Sequence, residues 1–306
     1  MSSPARESLL INPEEVGTWA LGSYVPVDAS WFMHAAIRRP KEEFEVKRLP
    51  NARFFDLDKV ASQHPLGLPH MMPDNHTFAD ALESLGIDRG TTVVLYDTHG
   101  VFSSPRALFT FKAFGHPGAL VLNGGLPAWE EQGLPVETEP PSAPWKSSYK
   151  PVPQLDASVI RSYEQMVDNS QYERDSKASE LVLDARAHPR YTGETPEPRD
   201  IPSGHIPNSF SLPFSTLLEQ HDKGDRSYTT MLSPEKLEQA IRDVLGPSAD
   251  AVLAGQRPIV TTCGSGMTAA IIWLALQELG IDASVYDESW MGYAARKSSK
   301  IATGDE

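Results

Sequence analysis

The chain repeats itself. Val25–Trp31, VPVDASW, is matched by Leu181–Ala187, LVLDARA, which pairs Asp28 with Asp184. Arg48–Asp58, RLPNARFFDLD, is matched by His205–Phe214, HIPNSFSLPF, which pairs Pro50 with Pro207. Thr91–Asp97, TTVVLYD, is matched by Arg257–Cys263, RPIVTTC, which pairs Asp97 with Cys263. Leu120–Trp129, LVLNGGLPAW, is matched by Ser284–Trp290, SVYDESW. The offsets are 156 (184 − 28), 157 (207 − 50) and 166 (263 − 97). A register kept with so few insertions marks a duplicated unit. The 306 residues fit two such units at roughly 100–200 residues per domain.

Between the copies, Thr138–Gln154 carries Pro140, Pro141, Pro144, Pro151 and Pro153. Proline removes backbone donors and disfavours helix and central strand, so this stretch reads as an extended connection. The expected organisation is a first domain over 1–139, a linker over 140–154 and a second domain over 155–306. Within each half, short apolar runs rich in β-formers alternate with helical patterns. Ser233–Gly246 places Leu237, Ile241 and Leu245 at four-residue spacing, behind Ser233 as a cap and Pro234 at the first helical position. Met267–Gly280 is apolar almost all round, which predicts a buried helix ended by glycine. The fold class expected is α/β: two tandem domains, each a mainly parallel sheet flanked by helices.

Charge and cysteine content narrow the function. The formal net charge is −14, which argues against nucleic acid and anionic membranes as partners. Small anionic substrates remain open, because a few local arginines suffice for them. No apolar run approaches the ~20 residues that cross a bilayer. The opening MSSPARESLLINPEEVGTWA lacks a secretory apolar core and is a poor transit peptide. The expected location is cytoplasmic, with the mitochondrion as the alternative. One cysteine forms no internal disulfide, and it offers neither a redox pair nor a thiolate metal site.

That cysteine stands in TTCGSGMTAAIIW, Thr261–Trp273, on a turn between a strand pattern and a helix pattern. A helix N-terminus offers unpartnered N–H groups and positive partial charge, which stabilise a thiolate. Gly264 and Gly266 let the backbone curl around the sulfur, Ser265 adds a hydroxyl, and Thr268 is placed to cap the helix. A lone cysteine is most often a small buried hydrophobe; the paired glycines and the turn favour a reactive one. There is no G-x-x-x-x-G-K-[ST] phosphate loop and no G-x-S-x-G nucleophile elbow.

The Cys263–Thr268 stretch, CGSGMT, and Asp184–Asn208, DARAHPRYTGETPEPRDIPSGHIPN, resemble the rhodanese family in its tandem two-domain sulfurtransferase form. The neutral Gly264–Ser265 pair is similar to the members that use 3-mercaptopyruvate; the thiosulfate enzymes carry basic residues there. The resemblance implies that Cys263 carries sulfur as a persulfide, with Gly264, Gly266, Met267 and Thr268 lining its site. It implies Arg190 and Arg199 as substrate-binding residues and a Ser265–His70–Asp58 proton relay spanning both halves. Arg186 and His205 read as structural. Asp97 at the cysteine position of the first half implies a catalytically silent domain, since a carboxylate cannot accept sulfane sulfur. The implied donor is 3-mercaptopyruvate, and the acceptor is thioredoxin, a small thiol or cyanide, with no cofactor or metal. Met267, Pro189, Thr192 and Glu288 depart from the family pattern and bear on pocket shape. The rivals are a thiosulfate sulfurtransferase on the same fold, a phosphatase use of it, which needs an arginine that the loop lacks, and a non-catalytic binding protein.

Overall fold

The computed structural model describes residues 7–33, 37–174, 176–224 and 226–305. Positions 1 and 306, the outer limits of the two expected domains, lie outside the described residues. Two five-stranded parallel sheets organise the chain. The first uses β1 (Leu10–Ile11), β2 (Val25–Asp28), β3 (Arg53–Phe54), β4 (Val93–Tyr96) and β5 (Ala119–Leu122), in the order β1-β5-β4-β2-β3. The second uses β6 (Ile160–Arg161), β7 (Leu181–Asp184), β8 (Ser209–Ser211), β11 (Ile259–Thr262) and β12 (Ala283–Tyr286), in the order β6-β12-β11-β7-β8. The two orders are the same order. Every pairing the repeat implies is therefore present in space: β2 with β7, β4 with β11, β5 with β12.

The central strands are VVLY and IVTT, buried at every position. Helices cover both faces of a parallel sheet, so its middle strands read as unbroken apolar or β-branched runs. Ligands on such sheets bind beyond the carboxyl ends of the strands, where the strand order reverses. Here Asp97 directly follows β4 and Cys263 directly follows β11.

The connection from β3 or β8 to the next helix is long in both halves, and each connection reaches across to the other domain. In the first half it runs over 55–74, before the helix Asn75–Ser84. Met72 N–H donates to Asp287 Oδ2 of the second half at 2.8 Å. In the second half it runs over 212–233 and contains an antiparallel hairpin, β9 (Leu218–Lys223) with β10 (Arg226–Met231). That hairpin lies on the first domain: Thr229 N–H donates to His99 O at 2.9 Å, and Met231 N–H donates to Asn123 Oδ1 at 2.9 Å. Each domain thus straps loops at the carboxyl ends of the other's strands.

The interface is a continuation of the core. Helix Ser104–Ala113 packs on helix Ala269–Glu278, with Phe109 and Trp273 edge-to-face at 5.2 Å between centroids. Ala269 to Leu276 are all buried, and the chain reverses at Gly280 with φ +73°. This explains the all-round apolar pattern: one face of the helix packs on its own sheet and another on the neighbouring domain. Ser233 and Thr268 both stand at N-cap positions, yet neither side chain makes a capping bond. Thr268 already has helical φ −78° and ψ −14°, so its hydroxyl does not take the extended-backbone capping geometry. No helix among the described residues is long and apolar enough to cross a membrane.

The copies differ in how they hold the aspartate that ends the neighbouring strand. Asp184 is gripped by the guanidinium of Arg186, at 2.6 Å. Asp28 is just as buried but has Ser30 in place of that arginine, and Ser30 N–H donates to it at 2.8 Å. Burial, with Asp97 adding repulsion against two opposing hydrogen bonds from Ser30, pushes the Asp28 carboxyl up to about 7. The folded state therefore keeps a proton that the unfolded chain releases at its ordinary, lower pKa. The stabilisation is complete below the unfolded value and is lost as the pH rises through about 7. His116, pushed down to about 4 by burial, acts in the opposite sense over the same window. The clean readout is therefore a difference between variants. Relative to Asp28→Asn, wild type should lose stability on the order of 3 kcal/mol between pH 4 and pH 8 in urea unfolding. A wild-type-minus-variant difference that is flat with pH would contradict this.

Candidate active site

Cys263 follows β11, and its side chain is only 2% exposed. Its N–H donates to Ser289 Oγ at 3.1 Å. The Ser289 hydroxyl donates to Tyr286 O at 2.9 Å and lies 3.9 Å from Cys263 Sγ. The carbonyls of Cys263 and Gly264 accept from Trp290 N–H at 2.9 Å and Met291 N–H at 3.0 Å. Among the described residues, none of the N–H groups from Gly264 to Thr268 donates to a protein acceptor. Five donors beside one sulfur are thus left open. In a planar trans peptide the N–H points opposite to the preceding C=O. Holding the carbonyls of Cys263 and Gly264 therefore aims the N–H groups of Gly264 and Ser265 the other way.

The two loop glycines are not equivalent. Gly266 has φ +82°, and a Cβ there would meet Asp287 O at 2.8 Å, so no other residue fits. Gly264 has no such φ, and a Cβ there would make an ordinary 3.5 Å contact with Arg190 Nη2. Gly264 thus serves by leaving room between the sulfur loop and a guanidinium. Met267 is 2% exposed and packs in the core, so what it can offer a ligand comes from its backbone. Ser265 is half-buried and makes no hydrogen bond to either His70 or Asp58.

The twin loop shows what such a turn does with an anion. Asp97 Oδ2 accepts from the N–H groups of Phe102, Ser103 and Ser104, at 3.0, 2.9 and 2.9 Å, and from Ser104 Oγ at 2.7 Å. Asp97 Oδ1 accepts from His99 N–H at 2.9 Å. The first domain has filled its own cradle with a carboxylate, under the β9–β10 hairpin.

His70 and Asp58 are brought together. His70 Nδ1 lies 2.5 Å from Asp58 Oδ1, a close approach rather than an aligned hydrogen bond. Trp31 Nε1 donates to Asp58 Oδ2 at 3.2 Å, and the Trp31 ring meets the His70 ring edge-to-face at 4.8 Å. The His70 ring is buried, and among the described residues its Nε2 has no hydrogen-bond partner. His70 also has φ +59°, an uncommon conformation for a residue with a Cβ, of the kind that clusters at functional sites.

Arg190 faces the loop from the helix His188–Thr192. The Glu197 carboxylate holds it there: Arg190 Nε donates at 3.2 Å, and Arg190 Nη2 makes a shorter contact. Glu197 also bonds Arg186 Nη1 at 2.7 Å, and Arg186 lies over the Trp290 ring. Arg186 is a structural post, as expected; His205 is another, stacked on Tyr191 at 3.8 Å. Arg199 is exposed on an irregular turn, and among the described residues its side chain makes no hydrogen bond or ion pair. Sequence reasoning missed Glu197, Trp31, Ser289 and Arg106. Arg106 left a signal: it is a charge set directly ahead of the mostly apolar run ALFTF in helix Ser104–Ala113.

Comparison with known proteins agrees with this fold. The family model for the rhodanese-like domain matches residues 37–132 and 165–296. The chain is 38% identical over 285 residues to a probable 3-mercaptopyruvate sulfurtransferase of Schizosaccharomyces pombe, covering 92% of this chain and 90% of that protein. It is 37% identical over 284 residues to a thiosulfate sulfurtransferase of Cricetulus griseus, covering 90% and 87%. The crystal structure of the Tum1 protein from Saccharomyces cerevisiae superposes with a TM-score of 0.81 at 31% identity, covering 97% of this chain and 98% of that one.

The Asp97 cradle yields a stability prediction. Asp97→Ala strands three buried N–H groups and a hydroxyl that now share one oxygen. Denaturant unfolding should show a loss of at least about 2 kcal/mol. An unchanged midpoint would mean that the carboxylate contributes nothing to the fold.

Proposed function

Because the chain belongs to the rhodanese family, as a tandem-domain sulfurtransferase, we propose that it moves sulfane sulfur from 3-mercaptopyruvate to a thiol or cyanide through a persulfide on Cys263. One observation carries the reading: the cradle that Asp97 fills in the first domain is open in the second, with a cysteine at its base and Arg190 across from Gly264.

The Cys263 thiolate attacks the donor sulfur. An S–S bond forms, the C–S bond breaks, and its electron pair leaves as the pyruvate enolate. The enolate takes a proton to give pyruvate, and the persulfide proton balances it. Arg190 answers the donor carboxylate and the charge that develops on the enolate. Arg199 is the second arginine that the family resemblance assigns to the donor. Ser265, His70 and Asp58 manage the proton, with His70 Nε2 as the open end of the relay. The loop N–H groups of Gly264, Gly266, Met267 and Thr268 hold the persulfide anion until an acceptor thiolate or cyanide takes the outer sulfur and Cys263 leaves as thiolate. Thioredoxin and small thiols suit the acceptor step.

The thiosulfate reading is the competitor, and the neutral loop residues favour mercaptopyruvate over it. Thiosulfate is a compact dianion that needs positive charge beside the sulfur, and Gly264–Ser265 supplies none. Mercaptopyruvate carries a single carboxylate, which the Arg190 guanidinium across from Gly264 suits.

Three outcomes test the proposal. Cys263→Ser should abolish transfer while the protein stays folded; turnover above background would refute the nucleophile. Arg190→Ala and Arg199→Ala should each lower kcat/KM by about one to two decades, since a charge-assisted contact contributes roughly 1.5–3 kcal/mol. If neither moves that ratio, the carboxylate binds elsewhere. With cyanide as the common acceptor, wild type should favour mercaptopyruvate over thiosulfate by at least about tenfold in kcat/KM, and Gly264→Arg with Ser265→Lys should shift the ratio toward thiosulfate. A wild type that prefers thiosulfate, or an unchanged ratio, would show that this loop does not set donor choice.

A further inference from the structure

We propose that Arg106, a residue of the silent first domain, is a positioning residue for sulfur transfer: it fixes the sulfur loop and the His70 segment in one frame. The inference rests on the reading of Cys263 as the sulfur carrier.

Arg106 sits in the first turn of helix Ser104–Ala113, whose neighbouring positions are almost all buried. Its side chain is 2% exposed. Nη2 donates to His70 O at 2.5 Å and to Asp287 Oδ1 at 2.6 Å. Nη1 donates to Gly266 O at 3.3 Å. Asp287 Oδ2 in turn accepts Met72 N–H, two residues beyond His70. One planar fork therefore joins the strap that carries His70, the turn that carries Cys263 and the carboxylate at the end of β12.

A latch between domains would need only the ion pair with Asp287. Burying a charged pair is no efficient route to stability, because desolvation offsets most of the attraction. The two carbonyls explain the guanidinium better. Holding Gly266 O aims Met267 N–H to the opposite side of that peptide. Trp290 and Met291 do the same for the N–H groups of Gly264 and Ser265. Arg106 thus supplies the third of three carbonyl holds that orient the open donors, and the same atom group sets the backbone of His70, a residue already in a left-handed conformation. A lysine is a point charge and cannot hold this fork.

Two variants separate positioning from stability. Arg106→Lys keeps the charge. Arg106→Leu combined with Asp287→Leu removes both buried charges, a change that is often neutral or stabilising. The double variant should recover most of the melting temperature that Arg106→Leu alone loses. Both should nonetheless show kcat at least about tenfold below wild type with KM within about threefold, since Arg106 touches no substrate. Labelling of Cys263 by iodoacetamide at fixed pH is the readout that needs no donor, and it should slow by at least about threefold in both. The donor preference of wild type tests the proposed function; the drop relative to wild type, on whichever donor serves and in labelling, tests Arg106. A double variant that regains wild-type kcat and labelling along with its stability would overturn the proposal. If the double variant does not fold, Arg106→Lys decides alone: wild-type kcat and labelling in that variant would overturn it.

Discussion

A turn of unpaired backbone N–H groups at the end of a central parallel strand needs an anion, and this chain builds that turn twice. Helix N-termini and open amides both favour negative charge at that point. In the first sheet the demand is met from within by Asp97, which accepts five donors. In the second sheet the residue there is Cys263, whose side chain in its resting form brings no comparable acceptor. One sheet has made the cradle a structural knot, and the other has left it for chemistry. The domain interface, the straps and the buried arginine all follow from having to hold both turns in place.

The straps make the division of labour mechanical. Residues 212–233 close the filled cradle with a paired hairpin whose Thr229 reaches both His99 and Val101. Residues 55–74 approach the open cradle with irregular chain that presents a histidine, and they are tied to the second domain by Met72 and through Arg106. A regular hairpin seals, because its backbone groups are satisfied by its own ladder and by the loop beneath. An irregular segment can place a ring nitrogen without a partner, as at His70, because no ladder dictates where its side chains point.

Much of this was legible in the residues. The pairing of Asp28 with Asp184 and of Asp97 with Cys263 located the strand ends, because side chains at that point are constrained by sheet packing and by the turn together. The apolar run Met267–Gly280 predicted a buried helix ended by glycine, and the helix spans Ala269–Glu278. The hairpin over Leu218–Met231 was not legible: its strands, LEQHDK and RSYTTM, are mostly polar and lie on another domain rather than in a core. Local patterns cannot show which surface a polar strand rests on. For the same reason Arg190 and Arg199 read alike in sequence, although only Arg190 is drawn to the loop, by a carboxylate seven residues along the chain. Arg106 was passed over because a charge in a helix normally marks its wet face, and its buried acceptors come from residues 36, 160 and 181 positions away.

Strain divides the two halves in the same way as charge does. Gly125 and Ser289 begin the helices that follow β5 and β12, and their backbones match: φ is +56° at Gly125 and +51° at Ser289. Glycine reaches that region freely, whereas a residue with a Cβ pays on the order of 1 kcal/mol or more. The silent domain takes the relaxed residue. The second domain accepts the strain and gains a hydroxyl that receives Cys263 N–H and stands 3.9 Å from its sulfur. With a glycine there, the Cys263 amide would lose its acceptor beneath the turn. The cysteine is therefore held from below by a strained serine, from the side by peptides that fix its own and the next carbonyl, and from the other domain by a guanidinium. The donors that remain free are those facing whatever replaces the missing carboxylate.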